Sequence, residues 1–125
     1  MGEPAGFRLS RIGVIMLSVT DMARSLEFYR DRLGLPVVFA SGEFAFLDAG
    51  GTTLALRGVA RLPPVEEVRT ELVFQVDDVT EAHRALSARG VAFRVEPRPV
   101  SGDDFAADFR DPDDHVLSIF GKKKS

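Results

Sequence analysis

Cysteine and tryptophan are absent from the chain, and tyrosine occurs once. Without thiols there can be no disulfide framework, no thiolate metal site and no cysteine nucleophile, and the expected location is a reducing compartment, the cytoplasm. Lysine occurs only as the run Lys122-Lys123-Lys124, and the other positive charges are arginines scattered singly. The net charge is −3, and with the lysines confined to that run the rest of the chain is more acidic still, which argues against nucleic acid as a partner. Long apolar runs are missing too. No stretch suits a bilayer span, and residues 1–12 lack the apolar segment of a secretory signal, so no membrane partner is expected. What remains is the composition of a folded domain: 125 residues, 45% hydrophobic and 28% charged, enough to bury about two thirds of the unfolded surface.

The pattern is one motif written twice. Gly13 to Val19 reads as a buried strand running into Thr20-Asp21, which can cap a helix, and Met22, Leu26, Tyr29 and Leu33 then recur as one apolar stripe. Gly34 and Pro36 end that helix. Glu71 to Val76 repeats the strand, and Asp78-Val79-Thr80-Glu81 has capping-box spacing before a helix that Gly90 closes. Val19 and Val76 are 57 residues apart, Asp21 and Asp78 also 57, and Gly34 and Gly90 56. Three short strands follow each helix: Val37 to Ala40, Glu43 to Asp48 and Thr52 to Arg57, then Val91 to Val95, Phe105 to Phe109 and His115 to Phe120. The expected division is an N-terminal extension (1–12), a first βαβββ module (13–60), a proline-bearing linker (61–69), a second module (70–121) and a basic, solvated tail (122–125), all in one structural domain.

Strand alternation sorts the residues by face. Ile15, Leu17, Val19, Leu54, Leu56, Leu72, Phe74, Val76, Leu117 and Ile119 form the side that covers the helices. The opposite side mixes apolar and polar groups: Val14, Met16 and Ser18; Thr53, Ala55 and Arg57; Glu71, Val73 and Gln75; Val116, Ser118 and Phe120. Such a surface has the make-up of a small-molecule pocket. The phase of Phe44 and Phe46 is ambiguous. The aspartates at 103, 104, 108, 111, 113 and 114 lack calcium-loop spacing and read as a solvated loop.

The segments MLSVTDMARSLEFYRDRLGLPVVF (Met16 to Phe39), ELVFQVDDVTEAHRALSARGVAF (Glu71 to Phe93) and DFRDPDDHVLSIF (Asp108 to Phe120), in this order, resemble the vicinal oxygen chelate superfamily of glyoxalases, bleomycin-resistance proteins and extradiol dioxygenases. The resemblance implies an α+β fold in which two βαβββ modules with curved mixed sheets enclose a cavity, often completed by a second subunit. It also implies, for metal-dependent members, His, Gln or Glu ligands at positions that fall here on Val14, about Ala55, Glu71 and Ser118. Only Glu71 of these is a good ligand. His83, on the second helix, and His115, on the face opposite Ser118, are the only histidines, and neither is placed to replace the missing donors.

The reading that follows is a metal-free protein without cofactor, holding a small organic ligand through Met16, Ser18, Thr53, Arg57, Glu71, Val73, Gln75, Ser118 and Phe120, as a homodimer. Arg57 and Glu71 orient the ligand on this reading, or else pair with each other. The alternatives are a lyase, isomerase or dioxygenase using a divalent metal, metal-independent proton transfer by Glu71, and a module whose open face serves only dimerisation. If the faces are assigned correctly, Leu17→Asp abolishes folding, because it buries a charge without a partner, whereas Val14→Asp folds; circular dichroism and urea titration of the two variants check this.

Overall fold

The computed structural model describes residues 9–64 and 70–124. In chain order it holds β1 (Val14–Val19), α1 (Met22–Leu26) with a π-helical continuation (Glu27–Arg32), β2 (Val37–Ala40), β3 (Phe44–Asp48), β4 (Thr53–Gly58), β5 (Glu71–Asp78), α2 (Val79–Ala88), β6 (Phe93–Ser101), β7 (Asp104–Arg110) and β8 (Val116–Lys122). The strands form two four-stranded sheets, ordered β1-β4-β3-β2 and β5-β8-β7-β6. In each sheet the first strand pairs in parallel with the last, and the other pairs are antiparallel. This is the α+β doubling of a βαβββ unit that the repeat predicts. Residues 1–8 of the expected extension, 65–69 of the expected linker and Ser125 of the expected tail lie outside the described residues.

Local chemistry sets the helix limits. The Asp21 carboxylate accepts from the Arg24 amide at 3.1 Å, and the Asp78 carboxylate accepts from Thr80 at 3.0 Å and Glu81 at 3.4 Å, so both helices start where the caps predict. Both end at left-handed glycines, Gly34 (φ 80°) and Gly90 (φ 92°). The first helix departs from the predicted single stripe. Its π-helical turn holds the sequence neighbours Phe28 and Tyr29, and both are buried.

Three expected features change. β6 begins at Phe93, not Val91, because Val91 is still buried in the helix closure with its amide on the Leu86 carbonyl. It then runs through Pro97 and Pro99 to Ser101; an edge strand with an irregular register tolerates prolines. Lys122, expected in the solvated tail, closes β8 and pairs with Asp104 at 3.0 Å. Beside it, Gly121 lets β8 approach β5 so closely that a Cβ there would lie 2.0 Å from the Val76 carbonyl oxygen.

The acidic run is the third change, for it braces the fold and Asp111 within it is buried. One Asp111 carboxylate oxygen accepts from the Tyr29 hydroxyl of the first module at 2.6 Å, and the other from the amides of Asp113 and His115 at 2.9 and 2.8 Å. Asp113 in turn accepts from the Thr20 hydroxyl at 2.6 Å and lies 3.5 Å from Arg24. The apolar core is continuous across both modules, with Val19, Leu54 and Leu56 of one joined to Val79, Phe109 and Leu117 of the other.

Tyr29 is fully buried. Burial first, and the Asp111 charge second, push its hydroxyl far above the free phenol's range. Tyr29→Phe leaves a buried carboxylate oxygen without its donor and is expected to lower stability by about 2 kcal/mol near neutral pH in urea titrations. Because folding raises the phenol's pKa, the wild-type advantage is complete below the unfolded value of about 10 and shrinks by ~1.4 kcal/mol per pH unit above it; repeating the titrations up the alkaline range should show the gap closing.

Candidate functional site

The two registers lay the non-core faces out in rows. In the first sheet these are Val14–Thr53–Asp48, Met16–Ala55–Phe46 and Ser18–Arg57–Phe44. In the second they are Glu71–Val116–Arg110, Val73–Ser118–Asp108 and Gln75–Phe120–Ala106. The alternating neighbours of these residues, among them Ile15, Leu17, Leu54, Leu72, Phe74 and Ile119, pack into the core. All nine residues singled out for ligand contact therefore lie on the sheet faces turned away from it. Ala45 and Leu47 are fully buried in the core, which puts Phe44 and Phe46 on the same face as Arg57. Sequence alternation left them ambiguous because β3, Phe-Ala-Phe-Leu-Asp, is apolar on both sides.

The structure gathers some of these residues and not others. A cleft of about 310 Å³ joins Thr53 of the first module to Glu71 and Val73 of the second, along with Ile15, Leu54, Leu72 and Phe74. That volume is at the small end for ligand sites. Met16, Ser18, Arg57, Gln75, Ser118 and Phe120 lie on the same faces but outside this cleft. A larger cleft of about 480 Å³ opens by α1 and the β7–β8 turn. Its Arg24, Arg32 and Arg94 are paired with Asp113, Glu27 and Asp114, and Arg110, which also lines it, has no carboxylate in ion-pair range among the described residues; none of the nine residues singled out for ligand contact lines this cleft.

Four charges in those rows have no opposite charge in ion-pair range among the described residues: Arg57, Glu71, Asp48 and Arg110. Arg57 is exposed and donates to the Ser18 hydroxyl at 3.2 Å, with no carboxylate in ion-pair range among the described residues. Glu71 is exposed and makes no hydrogen bond or ion pair with any described residue. Arg57 and Glu71 do not pair with each other. Asp108, which sequence reasoning did not place on the face, lies 3.4 Å from Arg98.

The histidines are used structurally. His115 Nε2–H donates to the Ser18 carbonyl at 2.8 Å, tying β1 to the start of β8. His83 packs its ring on Phe93 at 4.5 Å and places Nε2 3.1 Å from Glu96. The four places where the resemblance puts metal ligands hold two hydrocarbons, one carboxylate and the Ser118 hydroxyl. Ala55 and Ser118 are buried, at 0% and 2% exposure, beneath the flanking members of their rows. Among the described residues no three His, Asp or Glu side chains converge on a point. This donor set does not fit a divalent metal centre.

Comparison with known proteins fits this geometry. A family model described as the Glyoxalase/Bleomycin resistance protein/Dioxygenase superfamily matches residues 11–119. Protein YraH of Bacillus subtilis (strain 168) is 32% identical over 122 residues, covering 85% of this chain and 94% of its own. Metallothiol transferase FosB of Staphylococcus haemolyticus is 35% identical over 69 residues, 54% of this chain and 50% of that protein. The crystal structure of a glyoxalase/dioxygenase from Nostoc punctiforme superposes with a TM-score of 0.78 at 26% identity, covering 99% of both chains.

Since Arg57 and Glu71 hold no partner among the described residues beyond one hydroxyl, Arg57→Ala and Glu71→Gln are each expected to change the unfolding free energy by less than about 0.5 kcal/mol; urea titration of both variants beside Tyr29→Phe checks this.

Proposed function

The chain belongs to the Glyoxalase/Bleomycin resistance protein/Dioxygenase superfamily, and from that premise we propose that it is a metal-free, cytoplasmic small-molecule-binding protein. Its two mixed sheet faces hold an organic ligand, an antibiotic or a metabolite, in a cavity completed by a second copy of the chain. One observation carries the reading: on faces that mix apolar and polar groups, Arg57 and Glu71 stand exposed without a countercharge among the described residues while Val14 and Ala55 occupy ligand places of the family's metal centre. A charge beside apolar surface gains most from a ligand that brings its complement. Met16 and Val73 supply apolar contact, and Ser18, Thr53, Gln75, Ser118 and Phe120 complete the lining.

The homodimer is supported by apolar exposure along the edge strands. Val14 and Val73 are each 56% exposed, Met16 45%, Phe39 50% and Val38 71%, apolar side chains on three edge strands that association with a second copy would cover. No described helix is long and apolar enough to cross a membrane.

The likeness to a protein named metallothiol transferase favours a second reading, a divalent-metal lyase, isomerase or dioxygenase. The two readings part on one experiment. Protein purified without chelators or a metal-affinity step is analysed for bound metal, and its melting temperature is followed on addition of Mn, Ni, Zn and Fe(II). The metal-free reading expects no stoichiometric ion and no shift; about one tightly bound ion per chain, with a raised melting temperature, establishes the second. In the first outcome a small-molecule library follows, and Arg57→Ala or Glu71→Gln should weaken whatever binds; compounds indifferent to both would place the ligand elsewhere.

A further inference from the structure

The two modules share a topology, but their open faces are chemically unlike. On the second, Glu71 makes no hydrogen bond or ion pair with any described residue, Arg110 stands two strands away in the same row, and Asp108 lies 3.4 Å from Arg98. The first carries the cation Arg57, and its only carboxylate in these rows is Asp48, whose oxygen accepts from the Gly50 amide two residues along the chain at 2.9 Å. Around Arg57 the face is aromatic. Phe44 lies directly across β3–β4 from Arg57, and Phe46 is two residues further along β3. Phe39 lies across β2–β3 from Phe46 with ring centroids 5.6 Å apart and planes tilted by 37°.

Between them Ala55 is completely buried. Met16 and Phe46 flank it in its row, so the thioether and the rings form a continuous apolar floor with no hole at the centre. Arg57 follows Ala55 by two residues on the same side of the strand, about 7 Å away.

From this juxtaposition we infer that the ligand class is a planar aromatic anion, its ring on the Phe39–Phe46–Met16 floor and its carboxylate or equivalent oxyanion on Arg57. The inference rests on the reading of the face as a binding site and narrows it. Ring-on-ring contact accounts for three phenylalanines on one open surface. A guanidinium with one hydroxyl as its only partner among the described residues retains donors for a two-point contact with an oxyanion. Ser18, already bonded to Arg57, holds the guanidinium against the sheet and lowers the entropy lost when the anion arrives. A cationic aromatic would instead be drawn to Glu71 on the other module.

The test uses three ring-matched probes, 2-naphthoate, 2-naphthamide and 2-naphthylmethylammonium, titrated into the full chain by calorimetry and followed by backbone amide NMR. The expected result is that naphthoate binds most tightly and shifts the amides of β3 and β4. Arg57→Gln should then weaken naphthoate about tenfold or more while leaving the amide unchanged, and Phe39→Ala, an exposed position that does not threaten the fold, should weaken both. Ammonium or amide binding as tightly as naphthoate, or an Arg57→Gln effect equal on all three, overturns the anion assignment while leaving the face as a binding site. Failure of every probe to shift β3 and β4 overturns the aromatic assignment as well; the broader reading is judged separately, by whether any library compound shifts either mixed face.

Discussion

The hydrogen bond from the Tyr29 hydroxyl to the Asp111 carboxylate constrains more of this structure than any other single contact. It is 2.6 Å long, buried at both ends, and joins residues 82 positions apart in the chain. A buried carboxylate is tolerable only when its oxygens are satisfied. Here Tyr29 serves one oxygen and the amides of Asp113 and His115 the other. Those amides shape the turn that starts β8, and the same turn presents His115 to the Ser18 carbonyl and Asp113 to Thr20 and Arg24. The mutual placement of the two modules, and hence of their open faces, therefore depends on one charge being kept dry and fully bonded.

Much of the architecture was legible in the residues. Caps at Asp21 and Asp78, left-handed glycines at 34 and 90, and strict alternation in Ile15-Met16-Leu17 or Leu72-Val73-Phe74 are local signals, and the fold obeys them. Less legible were features that depend on partners distant in sequence. Nothing adjacent to Asp111 announces that a tyrosine 82 residues earlier will bury it, so an aspartate-rich run read as solvated. Nor does an apolar segment such as Phe44–Leu47 declare its core side, because both faces find apolar company. The place of β6 at a sheet edge, which alone makes two prolines tolerable in a strand, is likewise a property of the assembled sheet.

For the open faces, alternation placed residues of the first and last strands of each module but left Phe44 and Phe46 ambiguous and missed Asp48, Asp108 and Arg110 on the strands beside them, and the structure added what the placed residues lack. Arg57 could have met Glu71, and either could have met a neighbour, in which case both would be ordinary surface braces like Arg98 with Asp108. Instead the guanidinium has a hydroxyl and the carboxylate has nothing among the described residues. The two faces of equal topology thus differ in chemistry: the first carries Arg57 among aromatic rings, the second Glu71 in one row with Arg110.

The π-helical turn in the first helix bears on how the doubled chain diverged. Thirteen steps separate Asp21 from Gly34, and twelve separate Asp78 from Gly90, so the first helix contains one more residue between equivalent caps. A helix fixed at both ends can absorb such an insertion only by widening one turn, and Glu27–Arg32 is that turn. The second helix, one residue shorter, remains α-helical throughout. The widened turn is also the segment that carries the buried Phe28 and Tyr29, so the length difference between the halves falls where the first module is tied to Asp111 of the second.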